Sequence, residues 1–223
     1  MGKSLFVTGT GTDVGKTYVT GLLVKKLCEA GFSAGYYKAA ISGAVPEALS
    51  DALYVKKVAA LKTTDEKLVS YVYPEAVSPH LAARLNNRPI DMERLTEDFT
   101  AASEACEYLT VEGSGGIICP LRWDEKEKWG LAELIKKLNL AVLIVAPAGL
   151  GTINATLLTV HYLNSQQIPI KGIILNRFHP GDIMEEDNRA MIEAMSGVPV
   201  IAMVQVGETE LPVSADFLAG LYS

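Results

Sequence analysis

Short apolar runs alternate along this chain with longer segments in which apolar residues recur every three or four positions. Leu5-Phe6-Val7 and the run 141–146 are strand length and lack the in–out alternation of a half-exposed strand. Each therefore predicts a strand covered on both faces. The same reading predicts further strands over 33–38, 107–112, 171–176 and 199–204. Between them lie segments with helical spacing: 16–30 closed by Gly31, 51–61, 91–106, 130–138, 152–165 and 185–195. Ser50 is a candidate N-cap for the second helix, with Asp51 in its first turn, and Asp91 caps the third. Helices between apolar strands imply right-handed crossovers. The expected fold is α/β in three layers, a mostly parallel central sheet with helices on both faces. No repeat or linker divides the chain, so residues 1–223 are expected to form a single domain.

Composition narrows the class. Hydrophobic residues make up 49% and aromatics only 7%, so the core must be built from aliphatic side chains. A net charge of −6 with no basic block argues against nucleic acid as a partner. The mixed-sign run from Asp124 to Lys128 reads as a solvated loop. Cys28, Cys106 and Cys119 are odd in number and show no metal-like pairing, which fits a reduced cytoplasmic setting. His80, His161 and His179 are scattered and suggest no zinc site. The opening apolar run is too short for a secretory signal, and no stretch is long enough to span a membrane.

The chemistry is concentrated in Gly9-Thr10-Gly11-Thr12-Asp13-Val14-Gly15-Lys16-Thr17, which follows the first strand and opens the first helix. A glycine-rich turn in that position turns backbone N–H groups and the positive end of the helix dipole toward one anion. Lys16 is placed to reach the outer phosphates of a nucleotide, and the Thr17 hydroxyl to hold Mg²⁺. Thr10 stands where the standard loop has its first glycine, and Gly9 lies one residue earlier. In parallel sheets ligands gather at the carboxyl ends of the strands. Lys38, Glu112 and Asn176 each end a predicted strand, so all three should emerge beside this loop. Glu112 is followed by Gly113-Ser114-Gly115-Gly116 and resembles the second metal-side acid of P-loop enzymes.

These residues carry a family resemblance over nearly the whole length. Gly9-Thr10-x-Thr12-x-Val14-Gly15-Lys16-Thr17, Tyr37-Lys38 with Ser42-Gly43, Ser50-Asp51-Ala52 and Ser78-Pro79-His80 match in order. Val111 to Gly116, Gly149 to Asn154 and Asn176-Arg177 complete the set. Together they resemble the dethiobiotin synthetases, ATP-dependent enzymes of the P-loop NTPase type, and the displaced first glycine is that family's form of the loop. Ala39 stands where the family usually has proline, and the segment from Lys38 to Asp51 is short.

The resemblance implies a reaction of 7,8-diaminononanoate with CO₂ and ATP to give dethiobiotin, ADP and phosphate. It implies catalytic roles for Lys16 and Lys38, with Thr12 and Ser42 at the carbamate or amine end. Mg²⁺ would be held by Thr17, Asp51 and Glu112. The nucleotide would contact Asp13, Val14, Gly15, Lys16, Thr17 and Tyr18, then Gly113, Ser114 and Gly115, with Asn176, Arg177 and Gln205-Val206-Gly207 around the base. Gly151, Thr152, Ile153 and Asn154 would bind the substrate's carboxylate from the neighbouring subunit of a homodimer. Two other classes share parts of this pattern. Partitioning ATPases carry an extra lysine in the loop, and positions 9 to 14 have none. Amidotransferase-type synthases append a glutaminase domain, for which the residues after 204 are too few.

Overall fold

The computed structural model describes residues 2–45 and 50–223. Seven strands form one parallel sheet: β1 (Lys3–Gly9), β2 (Ala34–Ser42), β3 (Val69–Tyr73), β4 (Tyr108–Gly116), β7 (Val142–Pro147), β8 (Ile170–Asn176) and β9 (Val200–Val204). Their spatial order is β3-β2-β4-β1-β7-β8-β9. The first strand is thus central: β2 and β3 lie on one side of it, β4 returns to fit between β2 and β1, and β7 to β9 then build outward on the other side. That reversal places a crevice at the carboxyl end of β1, where a ligand site is expected in such sheets.

The central strands are buried on both faces because successive side chains serve two cores. Phe6, Val142, Ile144, Ile173 and Leu175 point into one cluster, while Leu5, Val7, Leu143, Val145 and Ile174 point into the other. Helices α1 (Lys16–Glu29), α2 (Ser50–Val58) and α8 (Ala215–Ala219) cover the second cluster. Helices α3 (Pro79–Leu85), α4 (Met92–Glu104), α5 (Leu131–Lys137), α6 (Thr152–Ser165) and α7 (Ile183–Ser196) cover the first. Each wholly buried leucine or isoleucine contributes about 1.5–3 kcal/mol, which is why the all-apolar runs were the most readable strands.

Several elements differ from the sequence reading. Strand β2 does not end at Lys38 but continues to Ser42, and β4 does not end at Glu112 but runs to Gly116. Helix α2 stops at Val58, three residues before the expected end, because Ala60 turns the chain with a left-handed φ of 52°. The Ser50 cap rests on a side chain outside the described residues. The Asp91 cap is present, its carboxylate accepting from the Glu93 and Arg94 amides. Strand β3 and the short helices α3 and α8 were not legible, being too short or too mixed for a periodic signal. The charged run 124–128 forms the turn of an antiparallel hairpin between β5 (Pro120–Trp123) and β6 (Lys128–Gly130). Asp124 closes that turn. The Glu127 amide and the Arg122 guanidinium hold its carboxyl down to about 2.

Candidate functional site

A cavity of about 960 Å³ opens at the carboxyl edge of the sheet, lined by the loop after β1, the ends of β2 and β4, α2 and the start of α3. The loop from Gly9 to Gly15 is shaped by two close approaches. A side chain at Gly9 would press on Val14, and Gly15 sits at φ 92° with the Asn176 amide where a Cβ would be. Neither position tolerates a larger residue without moving the loop. No side chain caps α1 among the described residues, so its first amides are left for a ligand. The Lys16 ammonium curls back onto the Gly11 carbonyl at 2.9 Å. Burial, and then the charge of Lys38, pull Lys16 below the ordinary lysine value, against the nearby carboxylates.

Opposite the loop is a cluster of charges inside the sheet. Lys38 and Glu112 are direct register partners on β2 and β4, 3% and 1% exposed. The Lys38 ammonium donates to Glu112 Oε1 at 2.7 Å and to Asp51 Oδ2 at 2.5 Å. The Thr17 hydroxyl donates to the same Glu112 oxygen at 2.8 Å, and Tyr36 donates to Oε2 at 3.2 Å. Burial pulls the Lys38 pKa down, but Glu112 and Asp51 outweigh it, and its pKa lies above the ordinary value. Removing one partner of such a buried pair costs about 3–5 kcal/mol, far more than the pair is worth net. The ammonium therefore marks a place built for positive charge between two carboxylates and a hydroxyl. That all-oxygen donor set fits Mg²⁺, which takes few protein ligands and fills the rest with water and phosphate oxygens. Among the described residues no group of three or more His, Cys, Asp and Glu competes with it as a metal centre.

A model of a family described as an AAA domain matches residues 3–209. The ATP-dependent dethiobiotin synthetase BioD of Brachyspira hyodysenteriae is 46% identical over 211 residues, which cover 95% of this chain and 96% of that one. The protein of the same name from a Clostridium botulinum strain is 47% identical over 206 residues, covering 90% and 89%.

The chain belongs to the dethiobiotin synthetase family.

Solved structures extend the likeness to the fold alone. A ParA family ATPase from Chlorobium tepidum superposes with a TM-score of 0.57 at 15% identity, covering 92% of this chain and 85% of that one. The MinC:MinD cell division complex of Aquifex aeolicus gives 0.56 at 15%, covering 98% and 86%. These two structures thus share this architecture, while the high sequence identity over nine-tenths or more of the chain lies with the synthetase family.

The structure brings Thr12, Asp13, Gly15, Lys16, Thr17, Lys38, Ser42, Asp51, Glu112, Ser114, Gly115 and Arg177 to one cavity. Some of these side chains are already engaged. Ser114 donates to the Ala40 carbonyl, and Arg177 to the Asp13 carbonyl. Asn176 is buried and donates to the Val14 carbonyl at 3.0 Å, bracing the loop from behind. Val14, Tyr18, Gly113, Asn176 and the turn Gln205-Val206-Gly207 do not line the cavity. Tyr18 instead reaches the Glu208 carbonyl, tying α1 to that turn. Residues Gly151 to Asn154 begin α6 and also lie outside the cavity of their own chain.

Three contributions were not assigned from the sequence. Val77, Pro79 and Ile118 give the cavity an apolar wall facing the charged cluster. Ser78-Pro79 was legible as part of a motif, but nothing in its composition disclosed where it would point. Tyr36 also went unassigned, since a tyrosine within an apolar run reads as core. Cys119 lines the cavity too, but burial pushes its thiol up to about 11, so it is no nucleophile.

Proposed function

We propose that this protein carboxylates 7,8-diaminononanoate and closes the ring of dethiobiotin with ATP, as a ligase of biotin biosynthesis. The observation that carries the reading is Lys38, held between Asp51 and Glu112 in the same cavity as the Lys16 loop. The reaction needs no protein nucleophile, because the substrate supplies both amines. One amine takes up CO₂ to give a carbamate and loses a proton. The carbamate oxygen then attacks the γ-phosphorus of ATP, and ADP leaves. The second amine attacks the carbonyl carbon and expels phosphate, closing the urea ring.

What such a sequence needs is two anions brought together and held. Lys16 and the amides of the loop from Asp13 to Tyr18 bind the phosphates. Lys38 lies between the γ-phosphate and the carbamate and lowers their repulsion. Thr12 and Ser42 orient the carbamate and its amine. Thr17, Asp51 and Glu112 would hold Mg²⁺, which would supply compact positive charge for the phosphates. Gly113, Ser114 and Gly115 let backbone come close to the nucleotide, while Asn176, Arg177 and the turn 205–207 surround the base. The substrate carboxylate sits at Gly151–Asn154 of a second copy, so the working unit is a homodimer. That arrangement agrees with the position of these residues outside their own chain's cavity. Three free cysteines fit a cytoplasmic setting, and no helix among the described residues is long and apolar enough to cross a membrane.

The test is ADP release in the presence of diaminononanoate and bicarbonate, omitting each in turn. Release should require both, and dethiobiotin should appear in step with ADP. ADP release that continues at full rate without the diamine would overturn the reading.

A further inference from the structure

The proposed reaction gives a part to every charged group around Glu112, yet leaves one neighbour without any. Tyr36 lies on β2 two residues before Lys38, on the same face of the strand, with its side chain 2% exposed. Its hydroxyl donates to Glu112 Oε2 at 3.2 Å. The donors to this carboxylate are therefore divided. Oε1 faces the phosphate loop and receives Thr17 and Lys38, while Oε2 faces into the sheet and receives Tyr36.

The two sides of the carboxylate differ in what else their donors must do. Thr17 and Lys38 both line the cavity and are engaged by nucleotide and substrate in the proposed reaction. Tyr36 does not line it, and among the described residues its hydroxyl bonds to Glu112 alone. A buried carboxylate that gives up one donor to a substrate bears the cost of an unsatisfied acceptor unless another donor holds it in place. Groups that orient a metal-binding carboxylate in this way set its affinity and geometry nearly as much as the carboxylate itself.

We infer that Tyr36 is a positioning residue: it anchors Glu112 Oε2 so that Oε1 stays aimed at the phosphate loop when Lys38 turns to the substrate. The inference rests on the reading of Glu112 as a Mg²⁺ and nucleotide residue. Tyr36→Phe is the deciding variant, since phenylalanine fills the same volume in the core and removes only the hydroxyl. Mn²⁺ binding to the ADP complex, followed by electron paramagnetic resonance, reads the effect without turnover. The variant should bind Mn²⁺ about tenfold more weakly, with ADP affinity in the absence of metal unchanged. In a Glu112→Gln background the same change should have no further effect, because the residue through which Tyr36 acts is already altered.

Mn²⁺ affinity within twofold of wild type, with any change confined to the melting temperature, would overturn the inference and leave Tyr36 a core residue. So would a full tenfold loss that persists in the Glu112→Gln background. Failure of the wild-type protein itself to bind Mn²⁺ with ADP would instead sink the metal reading on which the inference stands.

Discussion

Helices α1 and α6 begin in the same way and end up in different surroundings. Each starts after a glycine in the left-handed region, Gly15 at φ 92° and Gly151 at φ 88°, and neither has a side-chain cap. Each preceding loop is braced by a buried asparagine: Asn176 donates to the Val14 carbonyl, and Asn188 to the carbonyl of Ala148. Helices α4 and α7, by contrast, have their first amides capped by Asp91 and Asp182. Leaving amides open at a helix start costs about 1 kcal/mol relative to a good cap.

What separates the two open starts is everything around them. The α1 start lies against Asn176, carries Lys16 and shares one cavity with Lys38 and Glu112. At α6 nothing lies within 4 Å of where a Cβ on Gly151 would be, and neighbouring Leu150 is 90% exposed. An open amide cluster is therefore only half a site. The surrounding charges decide whether the helix start can take part in a reaction within its own chain.

The sharpest way to break this comparison is to add one methyl group at each start. Gly15→Ala places a Cβ into the Asn176 amide and strains φ, so nucleotide binding should fall by more than a hundredfold. Gly151→Ala meets no atom and pays only the left-handed strain, about 1–2 kcal/mol, so ATP affinity should be unchanged. Isothermal titration with ATP measures both. Equal losses would show that the environment does not distinguish the two helix starts.

Next in size is the lysine that only one of the two regions has. Lys38→Ala should lower turnover about a hundredfold, roughly 3 kcal/mol at the transition state, while ATP still binds. It should also lower the melting temperature, since Glu112 loses its counter-charge. Steady-state rates with separately measured ATP affinity test this. Near-normal kcat would remove Lys38 from the reaction.

A hybrid dimer sharpens the comparison by asking whether the two starts meet across subunits. A Lys38→Ala chain mixed with a Gly151→Phe chain pairs both defects in one site and leaves the other intact. Activity should return to about half of normal per hybrid, with hybrid formation verified by native mass spectrometry. Verified hybrids that stay inactive would place the helix start and the lysine in unconnected roles.

The smallest effect belongs to a capped helix. Asp91→Ala should cost about 1 kcal/mol in urea unfolding and leave kcat and KM untouched. A change in kcat would mean that α4 has a part in the site.

Much of the candidate site was legible because its residues lie in or beside readable apolar runs. Gly9 to Thr17 falls between an apolar strand and a helix, and that local order already implies an anion cradle. Glu112 could be named because a carboxylate closing an apolar run is conspicuous, whereas Asp51 was named through the family motif Ser50-Asp51-Ala52. Nothing local could disclose that Asn176 braces the loop from 162 residues away. The role of Tyr36 was equally hidden, since it exists only because β2 and β4 pair in the register that sets Lys38 opposite Glu112.

The sequence by itself determined the strand–loop–helix motif, the alternation of strands and helices, and the residue types of the candidate site. These follow from side-chain spacing and backbone freedom within a few residues. Only the tertiary structure decided the sheet order, which wedges β4 between β2 and β1 and thereby brings Lys38 to Glu112. It alone decided that one of two alike helix starts lies inside the cavity and the other outside. The physical reason is that strand order and register are fixed by burial on both faces of the sheet at once. That is a property of the packed whole, which no single stretch of the chain contains.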